Sequence, residues 1–204
     1  SIAFRATKAE CLDLPETTDI IRHIELEPVT LKKYKELVKQ SYTELSAGEV
    51  TATNILTRLL RLSQLTGGFI GSDDGGKIEQ VSDAKLKALE DILESSIEEG
   101  HKLVVIARFI PEIHAICRLL EKKNIGYACI YGATKDRQEQ IHRFQYDPDC
   151  MVFVGQIATA GLGITLTAAS TMVFYSLDYS MSNFEQTKAR IHRVGQKNGC
   201  TYIY

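Results

Sequence analysis

From residue 82 onward the apolar positions fall into two alternating rhythms. Leu86, Leu89, Ile92, Leu93 and Ile97 recur at helical spacing behind Ser82, which reads as the helix cap. Leu103-Val-Val-Ile106 is then a continuous apolar run, as expected of a strand buried on both faces of a parallel sheet. Pro111 opens a second helix that carries Ile113, Ile116, Leu119 and Leu120 on one stripe. Further strands are predicted at residues 127–130, 151–154, 172–175 and from Thr201, with helices over 135–144 and 186–196. Five strands with helices between them make an α/β doubly wound parallel sheet flanked by helices. Such sheets bind ligands at the carboxyl ends of their strands.

The first part of the chain has a different texture. Residues 1–29 show no clear period and hold Pro15 and Pro28, with one short strand predicted at 24–26. A helix over 30–45 carries Leu31, Tyr34, Leu37 and Val38, and another over 55–65 carries Leu56, Leu59, Leu60 and Leu62 before Gly67-Gly68 ends it. Two parts are therefore expected: residues 1–81, an N-terminal mainly helical segment packed on the lobe, and residues 82–204, the α/β domain. The last residues, Thr201-Tyr-Ile-Tyr204, read as the middle of a strand, so the domain is expected to be truncated there.

Charge narrows the function classes. With 24 basic and 26 acidic side chains, the net charge of −2 excludes a globally basic nucleic-acid binder; any such site is a local patch or shared with another domain. Five scattered cysteines form no Cys-x-x-Cys pair, which argues against a disulfide framework or zinc site and fits a reducing cytosol. The histidines are isolated from one another, so no metal ligands are assigned. No apolar run approaches the roughly 18 residues of a membrane span.

The densest candidate chemistry lies at 186–196. On a helix, Gln186, Arg190 and Arg193 fall at i, i+4 and i+7 on one face, with Phe184 and Ile191 opposite and Gly195 as the stop. Two guanidiniums one turn apart make a fork for phosphate oxygens, although a solvated polar face has the same pattern. After Val154 a small-residue stretch carries Gly161 and Gly163, but Leu166 stands where a dinucleotide fingerprint needs its third glycine, and tight strand-to-helix packing explains it equally. After Ile130 comes Gly132, then Thr134 as helix cap, with Lys135 and Arg137 in the first turn. Cations are unfavourable there unless a phosphate backbone lies nearby, or unless they are solvated beside Asp136 and Glu139. Arg108 leaves the sheet after Ile106. Gly71-Ser-Asp-Asp-Gly-Gly-Lys77 begins like a phosphate loop, but Ile78 replaces the magnesium-binding hydroxyl, so it reads as plain loop.

Taken together, Ala-Arg-Phe109, Tyr-Gly-Ala-Thr134…Arg137…Phe144, Ala-Gly-Leu-Gly-Ile-Thr-Leu-Thr-Ala-Ala169 and Gln186…Arg190-Ile-His-Arg193-Val-Gly-Gln196 resemble the C-terminal RecA-like lobe of Swi/Snf-type, superfamily-two helicase-like ATPases. Phe4-Arg5-Ala-Thr-Lys8…Leu14-Pro15-Glu16 and Asp83-Ala-Lys85-Leu86 resemble the family's lead into this lobe. The resemblance implies a second motor lobe of an ATP-dependent double-stranded DNA translocase. Arg190 and Arg193 would be arginine fingers, with Gln186 as their companion, acting on ATP and Mg2+ held mainly by a separate N-terminal RecA-like lobe. Gly161, Leu162 and Gly163 would lie near the nucleotide, and Arg108, Gly132, Thr134, Lys135 and Arg137 would face the DNA backbone. ATP would be the sole small-molecule substrate, no membrane would be involved, and this stretch alone would be inactive.

Gln156, Ile157 and Ala158 depart from the family's Ser-Thr-Arg, and Thr165 from a common Asn. The minimal helical insertion points to a prokaryotic or phage member, hence a cytoplasmic location, or a nuclear one if the source is eukaryotic. A strand-separating DNA or RNA helicase lobe and a non-catalytic nucleotide-binding domain remain the alternatives.

Overall fold

The computed structural model of the chain describes residues 13–47, 52–71, 78–159 and 163–204. Strands and helices are numbered in chain order. All five strands expected from the apolar runs are present: β4 (Leu103–Ala107), β5 (Gly126–Ile130), β6 (Cys150–Gln156), β7 (Thr171–Phe174) and β8 (Cys200–Ile203). A sixth, β1 (Thr17–Ile20), joins them, and the sheet runs β1-β8-β7-β4-β6-β5 with every neighbouring pair parallel. This is the RecA-like doubly wound arrangement.

Alternation along the strands separates two cores. Leu103, Val105 and Ala107 of β4 face one side, together with Val152 and Val154, beneath helices α3 (Ala84–Glu98) and α4 (Ile110–Lys122). Leu89, Leu93, Ile113, Ile116 and Leu120 from those helices are buried against them. Val104, Ile106 and Phe153 face the other side, where α5 (Arg137–Tyr146) contributes Phe144 and the later chain contributes Ile164, Leu166 and Ile191. Each such side chain contributes about 1.5–3 kcal/mol on burial, so both layers hold the sheet strongly.

The expected strand at 24–26 is not formed; residues 21–27 have no regular structure. The strand lies earlier, at β1, whose four residues are all exposed. Its place is set by β8, since Thr17 pairs with Cys200 and Ile20 with Ile203. An edge strand defined by a partner about 180 positions away leaves no local apolar mark.

The helical pair is present as α1 (Pro28–Ala47) and α2 (Ala52–Thr66). Leu56 and Leu59 are exposed rather than inward, while Leu65 at the far end is fully buried. The α2 helix thus anchors through its C-terminal end. There Gly68 turns with φ +93°, and an antiparallel hairpin follows, β2 (Phe69–Gly71) with β3 (Ile78–Gln80). Gly67 packs so tightly that a Cβ on it would lie 2.0 Å from Glu112 Oε1. At the start of α3, Asp83 occupies the cap position while Ser82 Oγ accepts the Ala84 N–H at 3.2 Å and donates to Glu27. No helix among the described residues is long and apolar enough to cross a membrane.

Candidate functional site

The predicted site residues form two groups, on different parts of the sheet. The first is at the carboxyl ends of β4, β5 and β6. Arg108 follows β4, and its guanidinium lies 5.0 Å from the Phe109 ring and 5.1 Å from the Tyr179 ring. Arg108 Nη1 is buried without a hydrogen-bond partner. Its backbone N–H donates to Ser176 Oγ at 2.7 Å, and Ser176 in turn donates to the buried Glu112 carboxylate. Glu112 Oε2 also accepts the Phe109 N–H. Burial pushes the Glu112 carboxyl up from its ordinary value and pushes the neighbouring Lys85 ammonium down. Beside this lies a cavity of about 390 Å³ lined by Phe69, Arg108, Phe109, Glu112 and Gln156.

In the loop after β5, Thr134 is not the helix cap. Asp136 holds that position, and Thr134 Oγ1 accepts the Tyr131 N–H at 3.0 Å, closing the turn on itself. Lys135 therefore precedes the helix, exposed, and only Arg137 stands in its first turn. Arg137 braces the loop: Nε donates to Thr134 O at 3.1 Å and Nη2 to Gly132 O at 3.3 Å. Gln156 links this loop to the one after β4. Its Oε1 accepts the Gly132 N–H and its Nε2 donates to Arg108 O. The departure from Ser-Thr-Arg at 156 thus serves as a strut between two loops. Pattern alone left it unmarked, because an amide at a strand end has no periodic signature.

The second group is the arginine segment, and it is not the expected helix. The helix α6 (Met181–Lys188) is shorter, and residues 189–195 are consecutive turns. The Arg190 N–H donates to Thr187 O, three residues back, which tightens the last turn. The Arg190 carbonyl accepts the Leu166 N–H at 2.9 Å, so it is diverted from the helical ladder by a segment far back in the chain. Gln186 stays behind on α6, exposed, its amide donating to Ser182 Oγ.

Phe184 and Ile191 do pin the segment, as spacing implied: Ile191 is fully buried and Phe184 lies 5.1 Å from the Phe174 ring. Gly195 takes φ +101°, a left-handed turn that reverses the chain after the arginines.

Arg190 and Arg193 are brought together with the segment that follows the small-residue loop. Arg193 Nη1 donates to Ile164 O at 3.3 Å, committing one of its five N–H donors. Burial, and then the positive charge of Arg193, lower the Arg190 pKa. Two half-buried guanidiniums repel each other here, a situation an anion relieves. Gly163 is exposed with φ +70°, whereas Gly161 and Leu162 lie outside the described residues, as does most of the 71–77 loop. His192 Nε2 donates to Pro15 O at 2.9 Å, fastening the turn to the lead into β1. Among the described residues no cluster of three or more His, Cys, Asp or Glu could hold a metal ion.

Comparison with known proteins places this geometry in context. The family described as Helicase conserved C-terminal domain matches residues 84–195, more than half of the chain. The chromatin-remodeling ATPase INO80 of Gibberella zeae is 34% identical over 57% of this chain. An uncharacterised ATP-dependent helicase of Mycoplasma pneumoniae is 29% identical over 95% of it. The chain spans only 6% and 19% of the lengths of these two relatives. Among solved structures, the SWI2/SNF2 ATPase core of Sulfolobus solfataricus in complex with double-stranded DNA matches with a TM-score of 0.74 and 26% identity, covering 97% of this chain and 42% of that one.

Proposed function

Because the chain belongs to the helicase conserved C-terminal domain family, with the RecA-like fold of SNF2-type ATPase lobes, we propose that it is the second motor lobe of an ATP-driven double-stranded DNA translocase. The observation that carries this reading is the arginine turn. Arg190 and Arg193 are half-buried, mutually repelling, and fastened to residues 164–166, Arg190 through its carbonyl to the Leu166 N–H and Arg193 through its guanidinium to Ile164 O. Guanidiniums held this way suit a polyphosphate, to which they donate in bidentate fashion.

The nucleotide and its Mg2+ are carried mainly by another lobe and supply the phosphoryl chemistry. This lobe's residues fit the outer end of a triphosphate. Arg190 and Arg193 donate to the terminal phosphate oxygens as negative charge builds during attack by water and departure of the diphosphate. Gly163, without a side chain and with φ > 0, leaves the adjoining backbone open to the ligand; Gly161 and Leu162, outside the described residues, are assigned with it to the nucleotide.

The carboxyl-edge group serves as the DNA track. Arg108 presents a half-buried guanidinium framed by two rings. Lys135 is exposed on the loop after β5, which Arg137, Thr134 and Gln156 brace around Gly132. Contacts of this kind position a duplex without reading its bases.

The test is Arg193→Ala in the full-length protein. DNA-stimulated ATP hydrolysis should fall by about 10³–10⁵ while ATP still binds; near-normal turnover would sink the assignment. This stretch alone should hydrolyse no ATP above background.

A further inference from the structure

Gln196 is 8% exposed, and no function so far described uses it. Its side-chain nitrogen donates to Ala169 O at 2.8 Å, to Ile191 O at 3.2 Å and to Thr167 O at 3.4 Å. Its side-chain oxygen accepts the N–H groups of Lys197 at 2.9 Å and Asn198 at 3.0 Å. Its backbone N–H donates to Arg193 O at 3.0 Å.

Apart from its own neighbours Lys197 and Asn198, these partners belong to two stretches. Ile191 and Arg193 are in the arginine turn, and Thr167 and Ala169 continue the segment whose Ile164 and Leu166 bond Arg193 and Arg190. The left-handed turn at Gly195 reverses the chain at the residue before Gln196. Only a side chain with donors and an acceptor on one rigid head can make all of these bonds. An apolar side chain of the same length leaves buried backbone groups without partners.

Resting on the reading of Arg190 and Arg193 as fingers, we propose that Gln196 is the positioning residue of this site. It latches the arginine turn to residues 164–169 so that both move as one body when the lobes close. Beyond Lys188 the turn keeps single local backbone bonds, among them His192 N–H to Lys188 O at 3.3 Å and Gln196 N–H to Arg193 O at 3.0 Å, which do not fix it to the rest of the lobe. Its geometry therefore depends on long-range bonds, and Gln196 makes more of them than any other side chain described there. Gln196 touches neither nucleotide nor DNA; it acts through the placement of the arginines.

Full-length protein is assayed at saturating duplex DNA as the parent, Arg193→Ala, Gln196→Met and Gln196→Glu. Phe144→Leu, in the same core, serves as a control for lost stability. Gln196→Met removes both halves of the latch. Gln196→Glu retains an acceptor for Lys197 and Asn198 but loses the donors to the three carbonyls.

Both Gln196 variants should lower kcat about 10- to 100-fold, as misplacement of a catalytic group by about 1 Å does. The KM for ATP and the affinity for DNA should stay within about twofold of the parent. Phe144→Leu, at an equal drop in melting temperature, should retain its kcat. An inactive Arg193→Ala beside Gln196 variants of parental kcat overturns the latch, as does an equal kcat loss in Phe144→Leu. An active Arg193→Ala instead overturns the finger assignment beneath it. If the variants do not fold, amide exchange in the parent decides: Lys197 and Asn198 should be as protected as Thr201 in β8, and fast exchange at both overturns the proposal.

Discussion

Arg137 opens α5 and Arg193 stands on the turn after α6, and the fold uses them differently. Arg137 directs two of its nitrogens at carbonyls of its own loop, Thr134 O and Gly132 O, so it stiffens the turn that presents Lys135. Arg193 directs one nitrogen at Ile164 O, in a segment 29 positions away, and its charge adds to burial in lowering the Arg190 pKa. One arginine is a strut for a local surface; the other is a tether between distant segments, with one nitrogen committed to that tether. The difference teaches that a cation in a motif is informative only with its carbonyl partners. A guanidinium committed to its own loop contributes order, whereas one crowded by a second guanidinium stores repulsion that a phosphate relieves.

The largest expected effect tests the arginine turn. Arg190→Lys keeps the charge but loses the planar fork. DNA-stimulated hydrolysis by the full-length protein should fall about 10²–10³-fold, while Arg137→Lys should leave hydrolysis near the parental rate at saturating DNA. Equal losses in both would erase the distinction.

A smaller effect separates strut from contact within the carboxyl-edge group. Lys135→Ala should reduce the slope of log affinity against log salt by about 1, the signature of one lost phosphate contact. Arg137→Ala should in addition speed amide exchange at Thr134, whose N–H donates to Tyr131 O in the braced turn. Unchanged exchange there would mean that Arg137 is no brace.

The smallest effect is electrostatic and confined to the carboxyl-edge group, because the arginine turn has no comparable buried carboxylate on the bonds described. Burial raises the Glu112 carboxyl above its ordinary 4.5. Its folded form holds a proton that the unfolded chain has already released, so its contribution is full below 4.5 and is lost as pH rises through the folded value. The melting temperature of the parent relative to Glu112→Gln should therefore rise as pH is lowered from neutrality toward 4.5. A difference that stays flat across that window would show the carboxyl to be unperturbed.

The apolar runs at 103–106, 127–130, 151–154 and 172–175 announced their strands because a strand covered on both faces must be apolar throughout. The stripes of α3 and α4 were legible for the matching reason, a single buried face. β1 was not, since all four of its residues are exposed and its only definition is the ladder to β8. The end of α6 is not legible in the pattern, because the residues from Ala189 onward keep a helical spacing that their backbone does not follow. The Arg190 carbonyl has a better-placed partner in Leu166. Thr134 had the identity of a cap, but its hydroxyl was claimed by the Tyr131 N–H.

The sequence by itself determined the α/β layering and the family, because these depend on burial and on residue identity along short stretches. Tertiary structure alone decided that Arg190 and Arg193 sit on a turn, that Gln156 and Gln196 hold the loops, and that the candidate residues split into two groups. The turn and the two glutamine struts rest on hydrogen bonds to backbone groups tens of residues away. Every residue carries the same N–H and C=O, so side-chain pattern does not encode which of them will meet.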